Sequence, residues 1–210
     1  MQGAGMYGVK RDLWFYQRIS LMYLTTVFTI YAILSKAPLY VITLFLAVTI
    51  PSLISPRLVC KSIPFTKYVY FNYCGALLPL LTAILILVPR RIVYPDIMLL
   101  VSLSIAISSL HTHITSKLVL VNVARYFASL TSLFLAIFDV NASYLLPFAS
   151  VVGLVVGADL LPYLVNTIIN KSRKSIIVGG FMALDSIALV LLFTLTTLIL
   201  LQIFSNPNLI

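Results

Sequence analysis

"SYLLPFASVVGLVVGADLLPYLVN", residues 143–166, decides the fold. A bilayer is crossed by about 20 mostly apolar residues, and this run is long enough while holding one charged residue, Asp159. The closing stretch "IIVGGFMALDSIALVLLFTLTTLILLQIF", residues 176–204, repeats the pattern around Asp185. Working outward, five more apolar segments lie near residues 13–35, 37–54, 68–88, 94–111 and 118–138. The segments 37–54 and 94–111 are short for a full crossing. Between the segments stand turn formers and charges, such as "SKAP" at 35–38, "PRR" at 89–91 and "NKSRKS" at 170–175. No linker or repeat divides the chain. The expected architecture is an all-α polytopic membrane bundle of about seven transmembrane helices, forming one domain over residues 1–210.

Composition agrees. Hydrophobic residues make up 61% and charged residues 9%, against about 25% charged in soluble domains. The mean hydropathy is +1.11. So much apolar surface cannot be hidden in one globular core. The net charge of +9 does not point to nucleic acid, because no basic soluble domain exists to carry such binding. It points instead to membrane orientation and to anionic lipid headgroups. With the N-terminus in the cytoplasm, the inside segments hold Lys10, Arg11, Arg18, Arg57, Lys61, Lys67, Lys117, Arg125, Lys171, Arg173 and Lys174. The outside segments hold only Lys36, Arg90 and Arg91. Removing Arg125, which lies near the start of the fifth helix, leaves the bias intact. The N-terminus is therefore expected inside and the C-terminus outside, with a sequon, "NAS" at 141–143, on the outer side. The N-terminal run reads as a retained helix, since no small-residue cleavage site follows a short apolar core. Cys60 and Cys74 fall near the cytoplasmic side, where thiols stay reduced. They are read as small packing residues and not as a disulfide framework.

All five acidic residues are aspartates. Asp12 precedes the first segment, and Asp96 and Asp139 sit at outer segment ends within reach of water. Asp159 and Asp185 flank the inside loop. With helices ending near Ile168 and beginning near Ile176, each acid lies nine residues from the loop. At 1.5 Å per residue that is about 14 Å deep, near the middle of a hydrocarbon core about 30 Å thick. Ionisable groups at that depth face a cavity or a partner and mark function. Two carboxyls held together cannot both ionise cheaply, so they share one proton. That is the chemistry of an aspartyl protease, one acid activating water and the other polarising the carbonyl. Pro162 removes the hydrogen bond to the Ala158 carbonyl beside Asp159, and Gly179 and Gly180 loosen the chain before Asp185. Ala149, Gly153 and Gly157 recur every four residues, a small-residue stripe that lets helices pack closely.

Other polar residues carry less. Asn72, in "YFNYCGALLPLL" at 70–81, joins helices together or bonds an aspartate or a substrate backbone. Arg125 either pairs with Asp159 or snorkels to the inner headgroups. His111 and His113 lack a third ligand for zinc. No glycine-rich phosphate loop and no serine triad stands out. The expectation is no metal and no cofactor.

"GADLLPYL" at 157–164, followed by a loop and "IIVGGFMALDSIAL" at 176–189, resembles the C-terminal signature of an uncharacterised prokaryotic membrane-protein family, domain of unknown function 1614. That signature has a Gly-Ala-Asp-Leu-Leu element and a Gly-Gly-rich stretch ending in Asp-Gly-Ile. The likeness covers the last third of the chain well and the middle loosely. Asp159 and Asp185 match the family's two acids, and Asn72 its helix asparagine. The family's Gly-Gly-Ala-Gly-Thr-Phe-Asp-Gly stands here as Gly179-Gly180-Phe181-Met182-Ala183-Leu184-Asp185-Ser186. The resemblance implies a multi-pass protein of the prokaryotic plasma membrane and brings no activity with it. A looser analogy is to intramembrane aspartyl proteases of the presenilin and prepilin-peptidase kind, which carry two membrane-embedded aspartates. Their Gly-x-Gly-Asp motif is replaced here by Ala183-Leu184-Asp185.

The leading expectation is an intramembrane aspartyl protease-like enzyme with Asp159 and Asp185 as its dyad, acting on a membrane protein or peptide. Asn72, Gly157, Pro162, Gly179 and Gly180 would support the acids. The alternatives are a proton- or cation-coupled transporter or channel using the same acids as a relay, and a non-catalytic scaffold. The charge bias yields a direct test of orientation. A cysteine introduced at Ser172 should be inaccessible to a membrane-impermeant thiol reagent applied outside intact cells, and labelling there would invert the topology.

Overall fold

The computed structural model describes residues 4–90, 94–114, 119–170, 175–180 and 185–205. Helix α1 (Ala4–Leu34) ends where Lys36 adopts a left-handed conformation, with φ 52°. Its N–H donates to the Ile33 carbonyl at 3.1 Å, and the Ala37 N–H to the Ala32 carbonyl at 2.8 Å. This paired closure satisfies the last carbonyls of the helix, and Pro38 then turns the chain into α2 (Leu39–Ile54). A single turn, α3 (Pro56–Val59), leads to strands β1 (Ser62–Pro64) and β2 (Val69–Asn72). The chain next forms a π-helical turn, Tyr73–Leu77, continued by α4 (Leu78–Leu87). Helix α5 (Tyr94–Leu110) begins with Pro95 and Asp96 in its first turn, where a missing N–H and a negative charge are both favourable. Strands β3 (Thr112–Ile114) and β4 (Val119–Val121) form a hairpin before α6 (Val123–Ile137). A 3₁₀ turn (Val140–Leu145), α7 (Leu146–Gly153), a second π segment (Leu154–Leu160) and α8 (Leu161–Asn170) then make one broken rod. Strand β5 (Ile176–Val178) and α9 (Ser186–Ser205) complete the described chain.

The fold is helical, and among the described residues three spans are long and apolar enough to cross a membrane: Trp14–Leu34, Val140–Val165 and Ser186–Phe204. Four further apolar helical stretches are shorter: Leu39–Ile54, Tyr73–Leu87, Tyr94–Leu110 and Val123–Ile137. Three segment starts differ from the sequence expectation. Residues 69–72, 119–121 and 176–178 are strands, and the last helix begins at Ser186 and not near Ile176. These short runs of Val, Ile, Leu, Tyr and Phe suit a strand as well as a helix, and periodicity cannot separate the two. What decides is partners: β1 pairs antiparallel with β2, and β2 pairs parallel with β5. All five strands fall in the connections after α3, α5 and α8, so the β structure gathers at one end of the bundle.

Helix α7 is the hub, packing against α4, α5, α6 and α9, while α1 packs on α2 and α9. The small stripe meets α5 directly. The Ser104 hydroxyl donates to the Ala149 carbonyl at 2.7 Å, Ser108 to Gly153 at 2.7 Å and Ser109 to Gly157 at 3.1 Å. Tyr126 of α6, fully buried, adds its hydroxyl to Ser104 at 2.6 Å and to the Ser150 carbonyl at 2.9 Å. The approach is possible because Gly153 and Gly157 lack side chains. A Cβ at Gly157 would meet the Ser108 hydroxyl and stand 2.5 Å from the Ile105 carbonyl oxygen. At Gly180 the nearest atom to such a Cβ is 3.4 Å away, an ordinary contact. Gly157→Ala should therefore lower stability by about 1–3 kcal/mol, whereas Gly180→Ala should leave it within about 0.5 kcal/mol. Thermal unfolding in detergent measures both, and equal effects would break the packing argument.

Candidate functional site

Asp159 sits in the second π segment. The Leu161 N–H reaches back five residues to the Val156 carbonyl, and Pro162 follows with no N–H to give. A proline ring crowds the carbonyl four residues before it, and widening the turn removes that crowding. The first π turn is built alike: the Leu78 N–H bonds the Tyr73 carbonyl, and Pro79 follows. The loosening expected beside Asp159 is therefore a defined π bulge, a device that recurs at functional sites.

The two π segments are linked through Gly179. It has φ 72°, and a Cβ there would stand 2.6 Å from the Gly75 carbonyl carbon and 2.7 Å from the Ala76 nitrogen. Only glycine suits both that backbone and that approach. So placed, its N–H and the Asp185 carboxyl both lie within electrostatic range of Asp159. Asp159, Gly179 and Asp185 thus share one neighbourhood. Gly180 is exposed at the turn, Pro162 shapes the bulge, and Gly157 fixes its helix to α5.

Asp185 reaches the site by another route than expected. It does not lie nine residues inside a helix; it caps one. Its carboxyl accepts from the Ile187 N–H at 3.2 Å and the Ser186 hydroxyl at 3.1 Å, and its carbonyl from the Leu189 N–H at 3.0 Å. An N-cap aspartate contributes about 1 kcal/mol and faces the positive end of the helix dipole. The matched-depth argument fails on this point, because Gly179 and Gly180 form a turn and not the first turn of a helix. Residues 171–174 and 181–184 lie outside the described residues.

Asn72 is 2% exposed and serves its own segment. Its side-chain oxygen accepts from the N–H groups of Cys74 at 3.1 Å and Gly75 at 3.0 Å, and its amide donates to the Cys60 carbonyl at 3.4 Å. It caps the π turn on which Gly179 rests, in place of bridging helices or touching an acid. Arg125 is exposed in the first turn of α6, and no ion pair joins it to Asp159 among the described residues. His111 bonds the Ser129 hydroxyl at 3.1 Å.

The cysteines overturn their expectation: Cys60 and Cys74 form a disulfide with Cα atoms 5.0 Å apart. The β1–β2 ladder explains the pairing. Ser62 faces Asn72 and Ile63 faces Phe71, so two steps further along the same antiparallel register Cys60 faces Cys74. Opposed residues in such ladders stand about 4.5–5.5 Å apart, which suits a disulfide. The staple closes the hairpin beneath the site. Sequence reasoning missed it because the hairpin was read as a loop and the start of a helix. It also missed Ser104, Ser108 and Ser109, whose signal was their spacing of four and five residues along one segment.

Compared with family models, curated proteins and solved structures, the chain matches none. Its site stands on its own geometry. The disulfide has a simple check: alkylation of the denatured, unreduced protein should modify no cysteine, and alkylation after reduction should modify two, as read by intact mass.

Proposed function

We propose that the protein is an intramembrane aspartyl protease-like enzyme in which Asp159 and Asp185 act as a pair, in a multi-pass chain that resembles domain of unknown function 1614. What supports this reading is that Asp185 and the Gly179 N–H lie within electrostatic range of Asp159 at a π bulge. Two adjacent carboxyls hold one proton between them. The ionised member draws a proton from water, and the water oxygen adds to the peptide carbonyl carbon. The protonated member gives its proton to the carbonyl oxygen. Collapse of the resulting diol breaks the C–N bond: one acid gives its proton to the departing amine while the other takes the proton of a diol hydroxyl, which restores the pair. The substrate is a membrane-embedded peptide or protein, entering where the bulge interrupts the rod.

The seven apolar segments are proposed to cross the plasma membrane with the N-terminus inside. The positive charges assign the β-bearing end to the cytoplasm, whereas a disulfide at that end suits an oxidising compartment. Labelling at Ser172 separates the two assignments.

The enzyme reading is tested by reconstituting the purified chain in liposomes with a pool of membrane-spanning peptides. Cleavage should fall by roughly 10²–10⁴ in Asp159→Asn and in Asp185→Asn, and the double variant should be no worse than either. Asparagine caps a helix about as well as aspartate, so Asp185→Asn retains the fold, as its unfolding temperature will report. A wild type that cuts no peptide and binds no aspartyl-protease transition-state analogue removes the enzyme reading. Proton-coupled flux lost in the same variants would then identify a relay.

A further inference from the structure

The charge bias of the sequence has three exceptions, Lys36, Arg90 and Arg91, and two of them line one cavity. That cavity, of about 190 Å³, lies between the α1–α2 turn and the end of α4. Helix α4 separates it from the π turn under Gly179 by about 15 Å, the rise of its ten residues. Its apolar part is formed by Phe28, Val41 and Ile86. Its polar part is made of donors from two chain segments: the Tyr31 and Ser35 hydroxyls, the Lys36 ammonium and the Arg90 guanidinium.

Two features separate this cavity from a chance gathering of surface cations. First, Arg90 sits against aromatic and hydroxyl groups, with no counter-ion among the described residues. Its guanidinium lies within electrostatic range of the Tyr31 hydroxyl and 6.0 Å from the centre of the Tyr144 ring. No acid lines the cavity, and no ion pair engages Lys36 or Arg90 among the described residues. Second, Lys36 occupies the left-handed closing position of α1, where glycine fits without strain. A lysine kept in that conformation is a strained residue at a pocket mouth, the setting in which strain accompanies function.

We infer that this cavity is a binding site for a phosphate group. A tetrahedral oxyanion presents oxygens on several sides, which matches an arginine fork, an ammonium and two hydroxyls arriving from different directions. The volume, about 190 Å³, accepts a phosphate with its ester linkage. The group has two sources, an anionic phospholipid headgroup or free inorganic phosphate. The cavity's position at the ends of α1, α2 and α4 suits the first, and the experiment distinguishes them.

The full chain is purified in neutral detergent and followed by thermal unfolding and native mass spectrometry. It is titrated with phosphatidylglycerol, diacylglycerol, inorganic phosphate and acetate at matched ionic strength. Phosphate-bearing probes should raise the unfolding temperature by linkage, and diacylglycerol and acetate should not. A response to phosphatidylglycerol alone assigns a lipid headgroup, and a response to inorganic phosphate assigns the free ion. Lys36→Gly and Arg90→Gln should each weaken binding about tenfold. Lys36→Gly should do so while holding or raising the resting unfolding temperature, which separates lost charge from lost fold. Arg57→Gln, which removes a cation beside Trp14 at the other end of α1, should leave binding unchanged. The inference is overturned if no phosphate-bearing probe binds, if diacylglycerol or acetate binds as well, or if Arg57→Gln weakens binding as much as the cavity variants.

Discussion

The structure depends on where the carbonyls of α7 and the following π segment find donors. In apolar surroundings an unpaired backbone group is costly, and a bulged helix frees more of them than a regular one. Helix α5 answers with Ser104, Ser108 and Ser109, each on a carbonyl of the small stripe. A hydrogen bond of this kind contributes roughly 1 kcal/mol net, so their energy is modest. Their effect is positional: glycine brings the backbones close, and the serines fix the register of α5 against the rod that carries Asp159. With that register set, α7 becomes the surface on which α4, α6 and α9 are arranged.

The site uses the same logic twice. Each π segment precedes a proline in the second position of the next helix, and Gly179 lies against one segment and within electrostatic range of the aspartate of the other. The support for Gly179 is layered. Asn72 caps the first π turn, the β1–β2 hairpin is closed by Cys60–Cys74, and β5 is registered on β2 just before the glycine. Each layer removes a freedom from the backbone N–H that meets Asp159. The acids are held by backbone and by helix ends more than by other side chains.

Much of this is legible in the residues. The apolar runs mark the helices, the stripe of Ala149, Gly153 and Gly157 marks a packing face, and two isolated aspartates mark the site. Pro162 and Gly179 are each visible as breaks. What stays hidden is long-range. "VYFN" at 69–72 and "IIV" at 176–178 become strands only because each has the other as partner, and no local pattern encodes that pairing. The same omission misplaced the start of α9 and with it the depth of Asp185. The disulfide was hidden for a related reason, since the cysteines oppose each other only once the hairpin between them is recognised. Where a choice depended on a neighbour distant in sequence, composition and period had nothing to say.

The parallel pairing of β2 with β5 joins residues about half the chain apart. During synthesis β2 emerges early, and its free edge waits for a strand that follows α8. Gly179 and Asp185 come later still, immediately ahead of the last helix. A chain released before this point has Asp159 without Asp185 or Gly179 and an open sheet edge. The polypeptide thus cannot bring Gly179 and Asp185 near Asp159 until nearly all of it has been made, so the order of translation times the completion of this region.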